Sequence, residues 1–316
     1  MDLLQWLERR CRVVNLDRIC IGIDFTEGSD RALRSSAVLA KRYGASLDLV
    51  HVIHPPPIYP LAIPADADHA DIDSAVEHAQ HRLEQIVAGP LAGGVSATCS
   101  VRIGAPFVEV ITHARERADD LIAVGDFASG QPPPFLGGTS ERIVRKALVP
   151  VLVAKRSLER LPATILAPTD FSEASLPALQ QAAMLARQWG ARLLIAHAIE
   201  PTTHLYGWGA ELAGGDVSGG DVYCVEPEAL EPEWRAVLDS ISLANIRWEQ
   251  LCVKGPPAEA LAGLADERHI DLIVLGTHGR SALPHALLGS VAEAVIRRAR
   301  CCVMSVRHDA FTFRLP

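Results

Sequence analysis

The sequence predicts an α/β protein of two units, each an open five-stranded parallel sheet with helices on both faces. Three observations predict it. Short apolar runs alternate with longer runs whose apolar residues recur at helical spacing. The short runs are apolar throughout, as strands buried on both faces are. And the chain repeats itself. Ile23-Asp24-Phe25-Thr26-Glu27-Gly28-Ser29 is echoed by Thr169-Asp170-Phe171-Ser172-Glu173-Ala174-Ser175, Tyr43-Gly44-Ala45 by Trp189-Gly190-Ala191, and His51 by His197, all at one interval. At a slightly longer interval, Gly104 matches Gly255, Asp120-Leu121-Ile122 matches Asp271-Leu272-Ile273, and Gly125 matches Gly276. A period of this length means two domains rather than a solenoid.

The second unit shows the order of elements. Thr164 to Ala167 reads as a strand that ends in Pro168-Thr169-Asp170. Leu176 to Trp189 reads as a helix, with Leu179, Ala183, Leu185 and Ala186 at helical spacing. Arg192 to Ile199 is a strand, Pro232 to Ile241 a helix and Arg247 to Val253 a strand. Ala258 to Glu267 is a helix, Asp271 to Leu275 a strand, Val291 to Arg300 a helix, and Cys302 to Val306 the last strand. In such sheets ligands bind beyond the carboxyl ends of the strands, where the strand order reverses. Asp170 after the first strand and Gly276 after the fourth stand at such ends. The expected division is a helical extension over 1–15, a first domain over 16–155 and a second over 163–308, joined by the polar linker from Lys155 to Pro162.

Composition narrows the function. A chain of 316 residues, 49% hydrophobic and 22% charged, is long enough for one large domain or two and can bury a core. A net charge of -8 argues against a nucleic-acid binder. No apolar run approaches the roughly 18 residues that span a bilayer, and Met1 to Arg10 does not read as a signal peptide. No membrane association is expected, and the expected compartment is the cytoplasm. The seven cysteines form no C-x-x-C pair, and Cys301-Cys302 reads as two small buried side chains at a strand start. The run from Asp66 to Asp73 reads as a solvated helix start rather than a metal site, and the Gly-rich stretch from Gly207 to Gly220 as a surface loop. His51 and His197 read as satisfied core histidines. No Ser-His-Asp or Cys-His arrangement is legible, so no catalytic residue and no metal ligand is named.

One stretch carries chemistry. Gly276-Thr277-His278-Gly279 follows an apolar strand, and Gly289-Ser290 opens the next helix. Glycines let backbone N–H groups approach a bulky anion, and a helix N-terminus favours negative charge. The stretch is neither the Walker pattern nor G-x-G-x-x-G. Taken alone, it is also a Gly-capped connection with an N-capping serine.

These residues resemble the universal stress protein family over nearly the whole chain, as two tandem domains. Gly276, Gly279, Gly289 and Ser290 fit its ATP-binding pattern G-x2-G-x9-G-[S/T]. Thr169-Asp170 resembles the end of its first strand and Ala198 the end of its second. The resemblance implies a Rossmann-like fold of the adenine nucleotide alpha hydrolase kind, with ATP, and Mg²⁺ as its usual companion, in the second domain. It implies that Asp170 contacts adenosine, that the backbone at Ala198 reads the adenine edge, and that Gly276 and Gly279 form the nest around ribose and phosphates. Gly289 and Ser290 would grip the outer phosphates, with His278 and Arg280 beside them. It further implies that the two domains pair through the strands near Val149 to Val153 and Cys302 to Val306 as an internal pseudo-dimer, and it admits a homodimer. The first domain departs from the pattern. Asp126 and Ala128 follow Gly125 where the second domain has Thr277 and Gly279. A weak second site would use Asp24, Val52, Gly125, Gly137 and Gly138. Two registers stay open there. One sets Glu141 against Glu293 and Gly138 against Ser290; the other keeps the nine-residue gap and sets Gly138-Thr139 against Gly289-Ser290. The expected role is regulatory, with slow hydrolysis at most. An interaction or chaperone-like module with incidental nucleotide is the alternative, and a slow ATPase another.

Overall fold

A computed structural model of the chain describes residues 16–54, 67–89, 94–126, 138–200, 202–203, 222–223, 227–278 and 288–308. The extension over 1–15 and the Gly-rich stretch over 207–220 lie outside these residues. The first unit runs β1 (Arg18–Ile23), α1 (Glu27–Tyr43), β2 (Ser46–Ile53), α2 (Ala67–Ala88), β3 (Ala97–Ile103), α3 (Pro106–Arg117), β4 (Leu121–Gly125), α4 (Gly138–Lys146) and β5 (Val151–Ala154). The second runs β6 (Thr164–Pro168), α5 (Leu176–Trp189) and β7 (Arg192–Ile199). A two-residue ladder follows, β8 (Thr202–Thr203) with β9 (Val222–Tyr223). Then come α6 (Glu231–Asp239), β10 (Arg247–Lys254), α7 (Pro257–Glu267), β11 (Leu272–Gly276), α8 (Ser290–Arg298) and β12 (Cys302–Val306). The helix expected over Pro232 to Ile241 stops at Asp239 because the amides of Ser240 and Ile241 turn back to Val237 and Leu238. The last helix stops at Arg298 because Ala299 is extended, at φ -57 and ψ 138.

The strands form one ten-stranded sheet in the order β10-β7-β6-β11-β12-β5-β4-β1-β2-β3. Each half is parallel throughout. The halves join antiparallel, with Val303 opposite Val153 and Ser305 opposite Val151. That junction is the strand pairing that the sequence resemblance implied. Alternation along each strand builds two cores. Ile19, Ile21 and Ile23 face Leu33 of α1 and Leu83 of α2, while Cys20 and Ile122 face Val110 of α3 and Ile143 of α4. In the second half Ile165 and Leu193 face Leu179 of α5 and Trp234 of α6, while Leu166 and Leu194 face Leu261 of α7 and Ile296 of α8.

The repeated residues explain themselves in this frame. The carboxylate of Asp120 accepts from the amides of Asp17 and Arg18 at 2.9 and 3.1 Å, and that of Asp271 from Ala163 and Thr164 at 2.9 and 3.2 Å. Each ties the start of its unit's first strand to the fourth. Gly44 and Gly190 end α1 and α5 at φ 70 and 68, a region costly for other L-residues. Of the two registers open for α4, the structure has Glu141 opposite Glu293. Gly138 starts α4 as Ser290 starts α8, and Arg145 pairs with Glu141 as Arg297 pairs with Glu293.

Candidate functional site

The order of strands reverses between β6 and β11, and a cavity of about 420 Å³ opens there at their carboxyl ends. Thr169, Asp170, Ala198, Gly276, Gly289 and Ser290 all line it. These are the described members of the set that the sequence singled out; Gly279 and Arg280 lie outside the described residues.

The first wall is a rigid turn. Thr169 donates its amide to Ala196 O at 2.8 Å, and its buried hydroxyl accepts from the Phe171 amide at 3.0 Å. The Asp170 carboxylate accepts from the amide and hydroxyl of Ser172 at 3.1 and 2.6 Å. This holds Phe171 at φ 63, in the left-handed region that non-glycine residues rarely occupy. Its ring then stacks on His197 with centroids 4.3 Å apart and meets Trp234 edge-on at 5.0 Å. His197 Nδ1 lies 2.8 Å from Thr169 O, so this half-buried histidine is satisfied by backbone, as expected.

The second wall comes from β11 and α8. A Cβ on Gly276 would meet Ala174 O at 3.1 Å, so the strand end passes close under the preceding turn. Thr277 and His278 are buried and hydrogen-bonded to each other at 2.9 Å. The Gly289 amide donates to Thr277 O at 2.7 Å, which fixes where α8 begins. The first-turn amides of Ser290, Val291 and Ala292 have no acceptor within the helix, and all three residues line the cavity. Pro257 and Leu261 supply an apolar floor. The result is a pocket with an apolar side and a positive helix end, suited to a ligand with an apolar ring and an anionic tail.

The first unit repeats the turn above a smaller pocket. Asp24 Oδ1 accepts from the Thr26 amide and hydroxyl at 3.0 and 2.5 Å, Phe25 sits at φ 62, and His51 Nδ1 lies 2.8 Å from Ile23 O. Asp24, Val52, Gly125 and Gly138 line a cavity of about 240 Å³; Gly137 lies outside the described residues. A carboxylate stands at the end of β4. Asp126 pairs with Arg31 at 2.8 Å and with Lys155 at 3.4 Å, where the second unit has the uncharged Thr277. Gly125 is pressed against α1: a Cβ there would lie 2.4 Å from the carbonyl carbon of Gly28.

A family model described as the universal stress protein family matches residues 15–155 and again 163–307. The chain belongs to the universal stress protein family. It does so twice over, in tandem. A universal stress protein of Mycolicibacterium smegmatis is 28% identical over 303 residues, covering 92% of this chain and 96% of its own. Universal stress protein MJ0531 of Methanocaldococcus jannaschii is 31% identical over 156 residues, covering 48% of this chain and 86% of its own. The crystal structure of a universal stress protein from Archaeoglobus fulgidus superposes with a TM-score of 0.69 at 23% identity, covering 92% of this chain and 98% of that one. It shows the fold, Rossmann-like domains of parallel sheet and helices. No helix among the described residues is long and apolar enough to cross a membrane.

Sequence reasoning missed one constellation. At the other end of the first sheet, Asp48 of β2, His113 of α3 and Asp119 come together inside the protein. Burial, with Asp48 alongside, pushes the Asp119 carboxyl up to about 8. Burial pushes the His113 imidazole down. Asp48 is held below its ordinary range by Thr98 and Arg18 despite its own burial. Asp48 is far in the chain from His113 and Asp119, and the three form no motif. Only the comparison with their apolar counterparts in the second unit marks them. Cys301 and Cys302 are both buried, and burial pushes the Cys301 thiol up to about 12, in keeping with a packing role.

Proposed function

We propose that this tandem universal stress protein is an ATP-binding regulatory protein whose second unit holds the nucleotide. The observation that carries the reading is the cavity at the β6–β11 reversal, where the Asp170 turn, the Ala198 strand end, Gly276 and the N-terminus of α8 converge. Thr169, Asp170 and Ala198 form the adenosine side; Gly276, Gly279, Arg280, Gly289 and Ser290 form the phosphate side, with Mg²⁺ accompanying the phosphates. The family resemblance assigns these roles, and the chemistry of the walls agrees with them. The described phosphate-side groups are amides, a hydroxyl and a histidine, which hold a triphosphate without activating water. Occupancy then biases a surface that a partner reads. The first unit, with Asp126 at its strand end and a smaller cavity at the equivalent place, is the degenerate partner.

The test is to purify the chain, denature it and chromatograph the released small molecules. About one ATP per chain is the expected result. ADP appearing with turnover would favour a slow ATPase. A chain that stays empty under added ATP would favour an interaction module in which nucleotide plays no part. Gly279→Ala weakens binding by about tenfold or more through loss of close backbone approach, whereas Asp24→Ala leaves it unchanged. Equal effects would contradict the ranking of the two units.

A further inference from the structure

The amino ends of the first unit's strands, opposite the carboxyl ends where its cavity opens, hold three titratable side chains in the interior. Asp48 is 1% exposed, Asp119 0% and His113 8%. One carboxylate oxygen from each aspartate and a ring nitrogen of His113 all lie within 4.8 Å of one another. Among the described residues, Nε2 of His113 is buried and has no hydrogen-bond partner. A buried imidazole nitrogen left so is costly, which asks what it binds.

The second unit shows that the fold does not need these residues. Their counterparts are Leu194, Leu264 and Ile270, all buried. The equivalence is structural. Asp48 pairs with Cys20 across β1 and β2 as Leu194 pairs with Leu166 across β6 and β7. The Asp119 amide donates to Ala114 O at 2.8 Å as the Ile270 amide donates to Ala265 O at 2.9 Å. An aliphatic trio in one copy is therefore two carboxylates and an imidazole in the other. Burying such groups is unfavourable unless a cation compensates them. Arg18 compensates in part: it pairs with Asp48, and its Nε lies 3.5 Å from Asp119 Oδ1. Thr98 donates to Asp48, and the half-exposed Arg117 reaches Asp48 at 3.4 Å. None of these groups serves the imidazole.

We infer that Asp48, His113 and Asp119 form a binding site for one divalent transition-metal ion of the Zn²⁺ class, with Arg18 as the resident cation that the ion displaces. Imidazole nitrogen with carboxylate oxygen is a donor set that such ions take, and three protein ligands leave a position for water. Two carboxylates and a neutral imidazole around a divalent ion sum to zero charge once any proton held by Asp119 has passed to solvent along with the displaced guanidinium. Arg18 has 30% of its side chain exposed and reaches solvent once released. Bonds of about 2.0–2.2 Å need the ligand atoms to draw together as the guanidinium leaves.

The experiment uses the full chain, freed of nucleotide and treated with a chelator, then titrated with Co²⁺ and with Zn²⁺. The expected result is one Co²⁺ per chain with visible d–d absorption, displaced by Zn²⁺, and a raised melting temperature. Arg18→Thr, the residue found at Thr164, tightens binding by about tenfold, the ratio that about 1.4 kcal/mol of removed competition gives. Replacing Asp48, His113 and Asp119 by Leu, Leu and Ile removes the bound ion while circular dichroism shows the fold intact. His113→Leu alone keeps both aspartates and weakens binding by at least about tenfold; it decides the matter should the triple variant not fold. No bound ion in either the parent chain or Arg18→Thr overturns the inference. So does equal affinity in the parent and His113→Leu, which would place the ion elsewhere. Neither result bears on the nucleotide reading.

Discussion

At the scale of single residues, the two copies differ most where they look most alike. Gly125 and Gly276 end equivalent strands, and both were legible as members of one motif position. Their surroundings were not, because they depend on how near the following turn approaches. A Cβ on Gly125 would meet the carbonyl carbon, oxygen and Cα of Gly28 at 2.4, 2.6 and 2.7 Å, all backbone that cannot step aside. A Cβ on Gly276 would meet Ala174 O at 3.1 Å, which a small shift relieves. Gly125→Ala is therefore expected to cost about 2–3 kcal/mol of folding stability, and Gly276→Ala about 1 kcal/mol or less. Urea denaturation midpoints of the two variants check this. Similar losses would mean that the two turns pack alike. Nucleotide affinity should show the opposite order, since only the second glycine lines the larger cavity.

At the scale of elements, the alternation of apolar runs gave the order of strands and helices, and the repeat gave their grouping in two. Helix ends were less legible. Asp239 ends its helix through a backbone turn and Arg298 through the extended Ala299, with no punctuating glycine or proline at either. The register of α4 was open because the stretch before it is one residue shorter than its counterpart before α8. The structure resolves it with a reciprocal set: Arg145 lies 3.5 Å from Glu293, and Arg297 lies 3.9 Å from Glu141. An exchange of identical partners across a junction is what a two-fold relation produces. The ends of α1 and α5 also meet across the junction, where the equivalent residues Tyr43 and Trp189 touch. Tyr43 donates to Gln188 Oε1 at 2.5 Å and accepts from Trp189 Nε1 at 2.9 Å. The ionic set marks the register but does little to hold it, because its members keep 18 to 31% of their side chains exposed. A double-mutant cycle on Arg145→Ala and Glu293→Ala should give a coupling under about 1 kcal/mol that shrinks in high salt. A larger, salt-insensitive coupling would show that these charges and not the strands join the halves.

At the scale of the whole molecule, that leaves the strands to do the joining. Every residue of β5 and of β12 is buried, and the pair turns two five-stranded sheets into one. Cutting the chain between them would expose two apolar sheet edges with unpaired backbone groups, a template for pairing. Residues 1–155 and 163–308, produced separately, should therefore associate with each other in a one-to-one complex. Each alone should pair with its own copy, because an antiparallel junction can be rebuilt from two identical strands. Sedimentation analysis of the two pieces, mixed and apart, checks this; soluble monomers of either would show that the junction is not what holds the halves. The same pieces separate architecture from ligand. The lining of the larger cavity runs from Pro168 to Val295, entirely within the second unit. ATP should thus travel with 163–308 and be absent from 1–155, and rejoining the pieces should leave its affinity within about threefold, a difference of less than about 0.7 kcal/mol. Were ATP to bind only the rejoined complex, the first unit would be a working part of the site rather than a partner that closes the sheet.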